Sequence, residues 1–215
     1  MTYEEERAKL IDRLERKGYI KSEKVKNAMN KVPRELFMPE NIRNNAYMDS
    51  PQPIGKGQTI SAPHMVAMMV EALDLEKGNK VLEVGGGRGY HAAVIAEVVS
   101  QEGVVYTVER IESLANSAKK ALKCAGYDNV KVIIGDGSKG YEEKASYDRI
   151  SVACGAPGIP PPMIKQLSIG GKILIPVGGM MFQELIKAIK VNEKKIKKKR
   201  LGGVIFVPLK GKYGY

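Results

Sequence analysis

The sequence predicts an α/β fold: a doubly wound, mostly parallel sheet with a helical N-terminal cap and antiparallel strands at the C-terminal end. Short apolar segments alternate with helical segments between residues 64 and 178. These segments are apolar on both faces, which is typical of a parallel sheet covered by helices on both sides. The length of 215 residues suits one such domain with an added subdomain, but not two full domains.

The first 63 residues are expected to form the cap. A first helix with one apolar face ends at Gly18, and a second follows Ser22 and ends before Pro33. The segment 33–63 is rich in Pro, Asn and Gly, and it is predicted to be irregular with short helical pieces. Connections of this length are commonly functional loops.

The central part, 64–178, is expected to carry the parallel sheet. A helix begins near residue 64, and others are predicted at 90–99 and 111–126. Strands are predicted at 80–84, 103–109, 130–136, 147–154 and 171–178. The tail, 179–215, is predicted to close the sheet as an antiparallel hairpin. The chain is therefore expected to be a single domain, 1–215, in three successive parts.

The composition indicates a soluble globular protein, with 43% hydrophobic and 27% charged residues. The first residues are charged and lack the apolar stretch of a signal peptide, and the apolar run 173–182 is too short to cross a bilayer. Cys124 and Cys154 are far apart and lack metal-ligand spacing. We therefore expect a cytoplasmic protein with reduced thiols, no bound metal and no membrane association.

The positive charge is concentrated in one segment. Residues 187–200 contain eight Lys or Arg and one Glu, so they carry +7 of the net charge of +11. One interpretation is a basic ridge that attracts phosphates or acidic substrates. The other is a solvated hairpin whose lysines protect a sheet edge. No aromatic residue is interleaved for base stacking, so the second interpretation is favoured and no nucleic-acid partner is expected.

A glycine-rich turn joins a buried strand to a helix in "VLEVGGGRGY" (81–90). Such turns let the backbone approach a ligand and present helix N-terminal amides to it. Residues 87–92 match the G-x-G-x-x-G/A pattern of nicotinamide and flavin enzymes, but two residues late relative to the strand end at Val84. A tight packing turn without a ligand is a third possibility.

The same letters also match the pattern of S-adenosylmethionine enzymes, an acidic residue followed by G-x-G-x-G. Glu83 precedes Gly85, Gly87 and Gly89 with that spacing. Either glycine pattern alone is weak, so the later strands must decide between them.

Acceptors at the next two strand ends favour an adenosyl ligand. Glu109 ends the second strand, 24 positions after Gly85, where a carboxylate can accept hydrogen bonds from both ribose hydroxyls. Asp136 ends the third strand, where it could accept from an adenine amino group. Each acid alone could be a cap or a salt-bridge partner. Together, in this order, they predict an adenosine-binding crevice at the carboxyl edge of the sheet.

Several segments resemble a known family. "VLEVGGGRGY", "YTVER", "GDGSKGY" and "YDRISVACGAP" resemble the successive motifs of Rossmann-like class I S-adenosylmethionine-dependent methyltransferases. "MDSPQPIGKGQTISAPHM", "RELFMPE" and "FVPL" are similar to the protein-L-isoaspartate (D-aspartate) O-methyltransferase family in particular. The resemblance runs from about Arg34 to Leu209. Arg88 departs from the family pattern and is expected to point away from the ligand.

The resemblance implies a repair reaction. A methyl group would pass from S-adenosylmethionine to the free carboxylate of L-isoaspartyl or D-aspartyl residues in damaged proteins, leaving S-adenosylhomocysteine. The ester would then collapse to a succinimide without further help from the enzyme. A carboxylate is already ionised at neutral pH, so no strong general base is needed. Catalysis would come from in-line positioning and from the exclusion of water.

The resemblance also implies site residues. Thr59 and Ser61 are expected to be catalytic, because their hydroxyls can orient a carboxylate; alternatively, Ser61 is only the N-cap of the next helix. Cofactor-binding residues are expected at Gln58, Ile60, His64, Glu83, Gly85, Gly87, Gly89, Glu109, Arg110, Gly135, Asp136 and Gly137. Substrate-binding residues are expected at Tyr47, Val207, Pro208 and Leu209.

Two alternative functions remain at this point. One is an RNA or small-molecule methyltransferase, but "ACGAPGIPPP" after the fourth strand offers no aromatic ring to stack on a base. Cys154 lies at an apolar strand end without an evident partner, so it is expected to be inert. The other is a nicotinamide-dependent oxidoreductase, which the late glycines disfavour. The expected partners are isoaspartyl-containing proteins or peptides, and the chain is expected to be a monomer.

Overall fold

A computed structural model describes residues 1–215 and contains a seven-stranded sheet, a separate hairpin and six α-helices. The helices are α1 (Tyr3–Arg16), α2 (Glu23–Lys31), α3 (Pro63–Leu73), α4 (Tyr90–Val99), α5 (Glu112–Cys124) and α6 (Pro161–Gln166). The strands are β1 (Gln52–Gly55), β2 (Gln58–Ile60), β3 (Lys80–Val84), β4 (Val104–Glu109), β5 (Val130–Ile134), β6 (Tyr147–Val152), β7 (Leu167–Gly178), β8 (Gln183–Asn192) and β9 (Lys195–Val204).

The strand order confirms the predicted fold class. The large sheet runs β5-β4-β3-β6-β7-β8-β9. Its first five strands pair in parallel, whereas β7 with β8 and β8 with β9 pair antiparallel. The chain proceeds from β3 outward to β5 and then returns to place β6 on the other side of β3. Ligands of doubly wound sheets bind at such a reversal, beyond the carboxyl ends of the strands.

The N-terminal cap contains two α-helices, two 3-10 helices and the β1–β2 hairpin. The helix α1 begins with a capping box between Thr2 and Glu5, and α2 begins with the hydroxyl of Ser22 as its N-cap. The 3-10 helices, Arg34–Phe37 and Glu40–Asn45, occupy the start of the predicted irregular segment. Tertiary contacts therefore give this segment more order than its composition suggests.

Two elements were not predicted. The first is the β1–β2 hairpin, whose turn uses positive φ values at Gly55, Lys56 and Gly57. The second is the short helix α6, which begins in a run of prolines that reads as a loop in the sequence. Proline is tolerated in the first turn of a helix, where its missing N–H has no partner to lose. Both elements are too short for a periodic pattern to reveal them.

The sheet is covered unequally on its two faces. A cluster of 40 buried apolar residues joins the cap and helices α1–α5 to one face, whereas a smaller cluster of 15 combines residues of β3, β4, β6, β7, β8 and α6 and of the loops beside them. The larger cluster therefore lies on the side of the sheet that the cap covers. Both cysteines are free thiols. No helix in the chain is sufficiently long and apolar to span a membrane.

The basic segment, 187–200, spans the second half of β8, the turn after it and more than half of β9. β9 lies at the edge of the sheet, and the side chains from Lys197 to Arg200 are exposed to solvent. Charged side chains on an exposed edge discourage pairing with strands of other molecules. The placement of these β9 side chains agrees with the favoured interpretation of a solvated edge. Lys190 on β8 differs, because it is buried and donates to the Leu167 carbonyl at 2.9 Å.

Candidate active site

The glycine-rich turn lies at the carboxyl end of β3 and leads directly into α4. Gly85, Gly87 and Gly89 have φ values of +88°, +55° and +95°, which side chains with a Cβ rarely adopt. At Gly86 the restriction is steric, because a Cβ there would lie 2.2 Å from Oγ1 of Thr107. The turn is therefore closely packed against β4, and its backbone is held in one conformation.

Glu109 at the end of β4 fixes the other side of this turn. Its Oε2 accepts a hydrogen bond from the Gly87 N–H at 2.9 Å, and its Oε1 accepts from the Ile111 N–H at 2.8 Å. The side chain is buried. Each carboxylate oxygen has two lone pairs, so each can accept one further hydrogen bond from a ligand.

A cleft of about 540 Å³ opens beside Glu109, and we call it the glycine cleft. Val84, Val108 and Cys154 contribute apolar walls. Ten residues predicted from the sequence also line it: Gln58, Thr59, Gly85, Gly87, Glu109, Arg110, Gly137, Val207, Pro208 and Leu209. Its combination of apolar walls and a few polar groups is typical of small-molecule sites.

A wider cavity lies next to the glycine cleft, and we call it the outer cavity. Four predicted residues line it: Thr59, Ser61, His64 and Val207. Phe182, Ile205 and Phe206 also line it, and the sequence did not indicate these three. Thr59, Ala153 and Val207 line both spaces. The two cavities therefore meet at these three residues.

Ser61 is not the N-cap of α3, so that alternative is wrong. The capping position is Ala62, with Pro63 as the first helical residue, and this capping residue makes no side-chain hydrogen bond to the helix. The main chain of Ser61 is instead held by its carbonyl, which accepts a hydrogen bond from Nη2 of Arg34 at 2.8 Å. The Ser61 hydroxyl is therefore not committed to the helix.

Arg34 is fully buried between the cap and the outer cavity. Besides contacting Ser61, it donates from Nε to the carbonyl of Ala46 at 2.9 Å, and its guanidinium lies 4.7 Å from the ring centroid of Tyr90. Burial lowers the pKa of Arg34 from its ordinary value. The sequence did not single out this residue, since its partners are 12 and 27 positions away.

His64 is paired with an acid that sequence reasoning missed. Oδ1 of Asp49 lies 2.8 Å from the His64 Nδ1, and the same oxygen accepts from the His64 main-chain N–H at 3.0 Å. The ring centroid of Tyr19 is 5.2 Å from that of His64. The imidazole is therefore held in one orientation at the wall of the outer cavity. Asp49 is within the segment quoted above, but nothing in the spacing links it to His64.

The comparison with known protein families decides among the alternatives. A family model described as "Protein-L-isoaspartate(D-aspartate) O-methyltransferase (PCMT)" matches residues 5–214. The chain belongs to this family. Membership confirms the predicted enzyme class, an O-methyltransferase of protein repair, over the oxidoreductase and the other methyltransferases.

Individual relatives agree with this assignment. A protein-L-isoaspartate O-methyltransferase of Methanothermobacter thermautotrophicus is 56% identical over 212 residues, which cover 98% of each chain. That of Hyperthermus butylicus is 55% identical over 221 residues and covers 99% of this chain and 92% of the relative. Among solved structures, a Plasmodium falciparum protein described as this methyltransferase, in complex with S-adenosyl-L-homocysteine, is 30% identical with a TM-score of 0.83. The match covers 95% of this chain and 98% of the Plasmodium falciparum chain.

Two residues predicted for the methyltransferase site lie beneath the glycine turn rather than at the cleft. Glu83 is fully buried, accepts a hydrogen bond from Thr107, and lies with Oε1 3.2 Å from Nδ1 of His91. Gly89 faces Leu122, and a Cβ there would be 3.2 Å from that side chain. The sequence pattern identified the turn correctly, but these residues support it from below.

Asp136 holds the C-terminal segment of the chain. Its Oδ1 accepts from the Ser138 main-chain N–H at 2.9 Å, and its Oδ2 accepts from that of Lys212 at 3.0 Å. Burial raises the pKa of Asp136, but the hydrogen bonds from Lys212 and Ser138 outweigh it and the net effect is a lowered pKa. Neither Asp136 nor Gly135 is among the residues that line the glycine cleft.

Tyr47 lies away from both cavities. Its hydroxyl donates a hydrogen bond to Glu35 and accepts one from Nη1 of Arg7 at 3.3 Å, within the cap. It contributes to a separate surface cavity beside α1. Ile60 is buried and lines neither cavity.

Cys154 and Arg88 lie as the sequence predicts. Burial raises the pKa of the Cys154 thiol far above its ordinary value, so the thiolate nucleophile is not formed at neutral pH. Arg88 donates from Nε to the carbonyl of Phe37 at 3.1 Å, and it does not line the glycine cleft.

Proposed function

We propose that this enzyme transfers a methyl group from S-adenosylmethionine, bound in the glycine cleft, to an isoaspartyl carboxylate in the outer cavity. The observation that carries this proposal is the junction of the two cavities at Thr59, Ala153 and Val207. A methyl group moves only over the length of a forming bond, so its donor and its acceptor must approach each other closely. The junction is where ligands of the two cavities could do so.

The residues of the glycine cleft fit an adenosyl cofactor. Glu109 would accept hydrogen bonds from ribose hydroxyls through its two remaining lone pairs. Gly85 and Gly87 let the backbone approach the ligand, and Val108 and Leu209 offer apolar walls. At Gly137 a Cβ would lie 2.5 Å from Cγ1 of Val84, so only glycine fits at this position of the cleft wall. When bound, the cofactor supplies an electrophilic methyl group on a sulfonium.

The outer cavity supplies weak hydrogen-bond donors for the acceptor. The hydroxyls of Thr59 and Ser61 would donate to the isoaspartyl carboxylate and aim one oxygen at the junction. A carboxylate with a pKa near 4 is ionised at neutral pH, so no residue has to remove a proton. Strong cationic donors would stabilise the carboxylate before reaction more than in the transition state. Hydroxyl groups suit this role.

The segment 207–209 would close the junction against water. Val207 accepts from the Gly155 N–H at 2.9 Å, and the Leu209 N–H donates to the Gly155 carbonyl at 2.7 Å. These bonds fix Pro208 beside the cleft. Exclusion of water favours a reaction in which a cation and an anion neutralise each other.

The remaining residue assignments rest on proximity. Gln58 and Arg110 line the glycine cleft and would contact the cofactor, whereas His64, paired with Asp49, lines the outer cavity and would contact either ligand. Cytoplasmic location, a monomeric state and the absence of nucleic-acid or membrane partners stay predictions.

The test uses peptide pairs that differ only in an aspartyl or an isoaspartyl linkage. The protein is incubated with methyl-labelled S-adenosylmethionine and either peptide, and base-labile label is counted. Label on the isoaspartyl peptide alone supports the proposal. Equal labelling of the two peptides, or label only on added RNA, contradicts it.

A further inference from the structure

The large apolar side chains that are exposed to solvent are not evenly distributed. Nine such residues are at least partly solvated, and four of them belong to two adjacent segments at the outer cavity. We call these four the apolar rim: Met180 (61% exposed), Met181 (87%), Phe182 (60%) and Ile205 (77%). Clustered apolar exposure on a soluble domain commonly marks a binding surface.

The rim is held in place from beneath. Its turn connects β7 to β8, and fully buried Gln183 donates from Nε2 to the Gly179 carbonyl at 2.6 Å. The same side chain accepts from the Phe206 N–H at 2.8 Å through Oε1. One buried amide therefore ties the turn to the segment after β9, which carries Ile205 and Phe206. The ring of Phe182 covers Gly203, where a Cβ would lie 2.6 Å from it.

We propose that the apolar rim binds apolar side chains flanking the isoaspartyl residue in the damaged protein. This inference rests on the proposed function, because it assigns a substrate preference to the same site. Phe182 and Ile205 line the outer cavity itself, so a chain that reaches the junction passes the rim. Neighbours of the reacting residue lie about 3.3 Å apart along an extended chain, within reach of these side chains.

The chemistry of the rim suits a substrate whose sequence varies. Methionine is unbranched and polarizable, and it adapts to many apolar shapes, as in binding surfaces that accept several partners. Met180 and Met181 occupy the exposed tip of the turn. Such contacts add affinity without demanding one sequence around the damaged residue.

A permanent partner on the rim would conflict with the proposed reaction. Either a second copy of the chain or a lipid surface covering Phe182 and Ile205 would obstruct the outer cavity. That cavity must admit a segment of another protein. The rim is therefore assigned to the substrate, which binds transiently. The test below also detects binding of a second copy of the chain or of lipid.

The test compares two isoaspartyl peptides, one flanked by Gly and Ser and one by Leu and Tyr on both sides. For the unaltered protein we expect the KM of the apolar peptide to be about 10-fold lower. In the double variant Met180→Gln/Met181→Gln that advantage should shrink at least threefold, with kcat for the apolar peptide retained. A matched control, Ile169→Gln/Val191→Gln, removes two exposed apolar residues away from the outer cavity and should keep the full advantage.

Several outcomes would overturn the inference. Equal KM values for both peptides in the unaltered protein would do so, as would the same loss in both double variants. Sedimentation velocity would show whether the rim instead joins two copies, and flotation with phosphatidylserine vesicles would show whether it binds lipid. If the unaltered protein self-associates or binds lipid, and Met180→Gln/Met181→Gln loses that association without a change in KM, then the rim binds a second copy or lipid rather than substrate. Absence of methylation on both peptides would count against the proposed function itself.

Discussion

The glycine cleft and the outer cavity are built by different means, although they share three residues. Around the cleft, the backbone holds the polar groups: Glu109 accepts hydrogen bonds from two main-chain amides. Around the outer cavity, the Ser61 hydroxyl does not cap the helix behind it, and much of the mouth is exposed apolar surface.

This difference corresponds to what each space is proposed to bind. A cofactor is the same molecule in every turnover, so a preorganised site loses little entropy and gains affinity from every fixed group. Protein segments vary in sequence, so fixed polar groups would leave many substrates with unpaired partners. Adaptable apolar contacts and a few hydroxyls avoid that cost.

The largest effect is expected at Glu109, because its carboxylate is already held by two main-chain hydrogen bonds. In Glu109→Gln, the amide nitrogen must face either the Gly87 or the Ile111 N–H, so one hydrogen bond becomes a clash of donors. Charge-assisted bonds to the ligand are weakened as well. We expect affinity for S-adenosylhomocysteine, measured by calorimetry, to fall about 100-fold to 1000-fold.

The matched control for this change is Glu112→Gln, three residues later in the first turn of α5. Its side chain is exposed and does not line the cleft, so affinity should stay within about twofold. If Glu109→Gln bound the ligand as tightly as this control, the cleft would not depend on the carboxylate, and the contrast between the two cavities would fail.

The second-largest effect is expected at Arg34, which holds the main chain beside the outer cavity. Arg34→Met removes the donors to the carbonyls of Ala46 and Ser61 and leaves both acceptors poorly satisfied. We expect the free energy of unfolding in urea to fall by about 2–4 kcal/mol. At a temperature where the variant is still folded, kcat should fall while cofactor affinity is kept. Arg88→Met is the comparison, because it removes one hydrogen bond, to Phe37, and should cost about 1 kcal/mol.

Two serines separate catalysis from helix capping. Ser61→Ala should lower kcat about 10-fold to 100-fold, with unchanged affinity for cofactor, because a donor to the carboxylate is lost. Its unfolding free energy should hardly change, since Ser61 does not cap α3. Ser22 accepts from the Val25 N–H as the N-cap of α2, and its hydroxyl donates to Glu71. Ser22→Ala should therefore lose about 1–2 kcal/mol of unfolding free energy and keep its kcat. If Ser61→Ala instead lowered the free energy of unfolding and left kcat unchanged, the role of Ser61 would be structural.

The sequence predicted the sheet well because its signals are local. The strand 80–84 and the helix 90–99 have the predicted bounds, and the glycine turn lies between them. An apolar run and a glycine spacing can be read within ten residues. The resemblance to a known family then extended the prediction to Thr59 and Ser61, which no local pattern marks as functional.

The missed residues share a different property: their partners are distant in sequence. Asp49 contacts His64 from 15 positions away, and Gln183 contacts Phe206 from 23. A buried arginine such as Arg34 looks like a surface residue until its acceptors are known. Such pairings depend on the packing of the cap against the sheet, which no pattern within either segment describes.

The smallest effect is expected at Asp136, and it separates the two interpretations of that residue. Ser138 and Lys212 donate three hydrogen bonds to the carboxylate oxygens of Asp136. Few lone pairs are therefore left to accept from an adenine amino group. In Asp136→Asn the amide would oppose the Lys212 N–H. We expect faster hydrogen exchange in residues 210–215, with less than about a 10-fold loss of cofactor affinity. A loss as large as that of Glu109→Gln would favour direct contact with adenine.

The hydrogen bonds from the C-terminal segment to Asp136 should depend on pH, which gives a second test of its role. The pKa of Asp136 is lowered in the folded protein, so its contribution to stability is present above the unfolded value of about 3.8 and is lost as the pH falls below it. As the pH is lowered from about 4 to about 2, the protection factors of the Lys212 and Tyr213 amides against hydrogen exchange should therefore fall in the unaltered protein. In Asp136→Asn that fall should be absent. Equal profiles in the two proteins would mean that the C-terminal segment is held by packing rather than by this carboxylate.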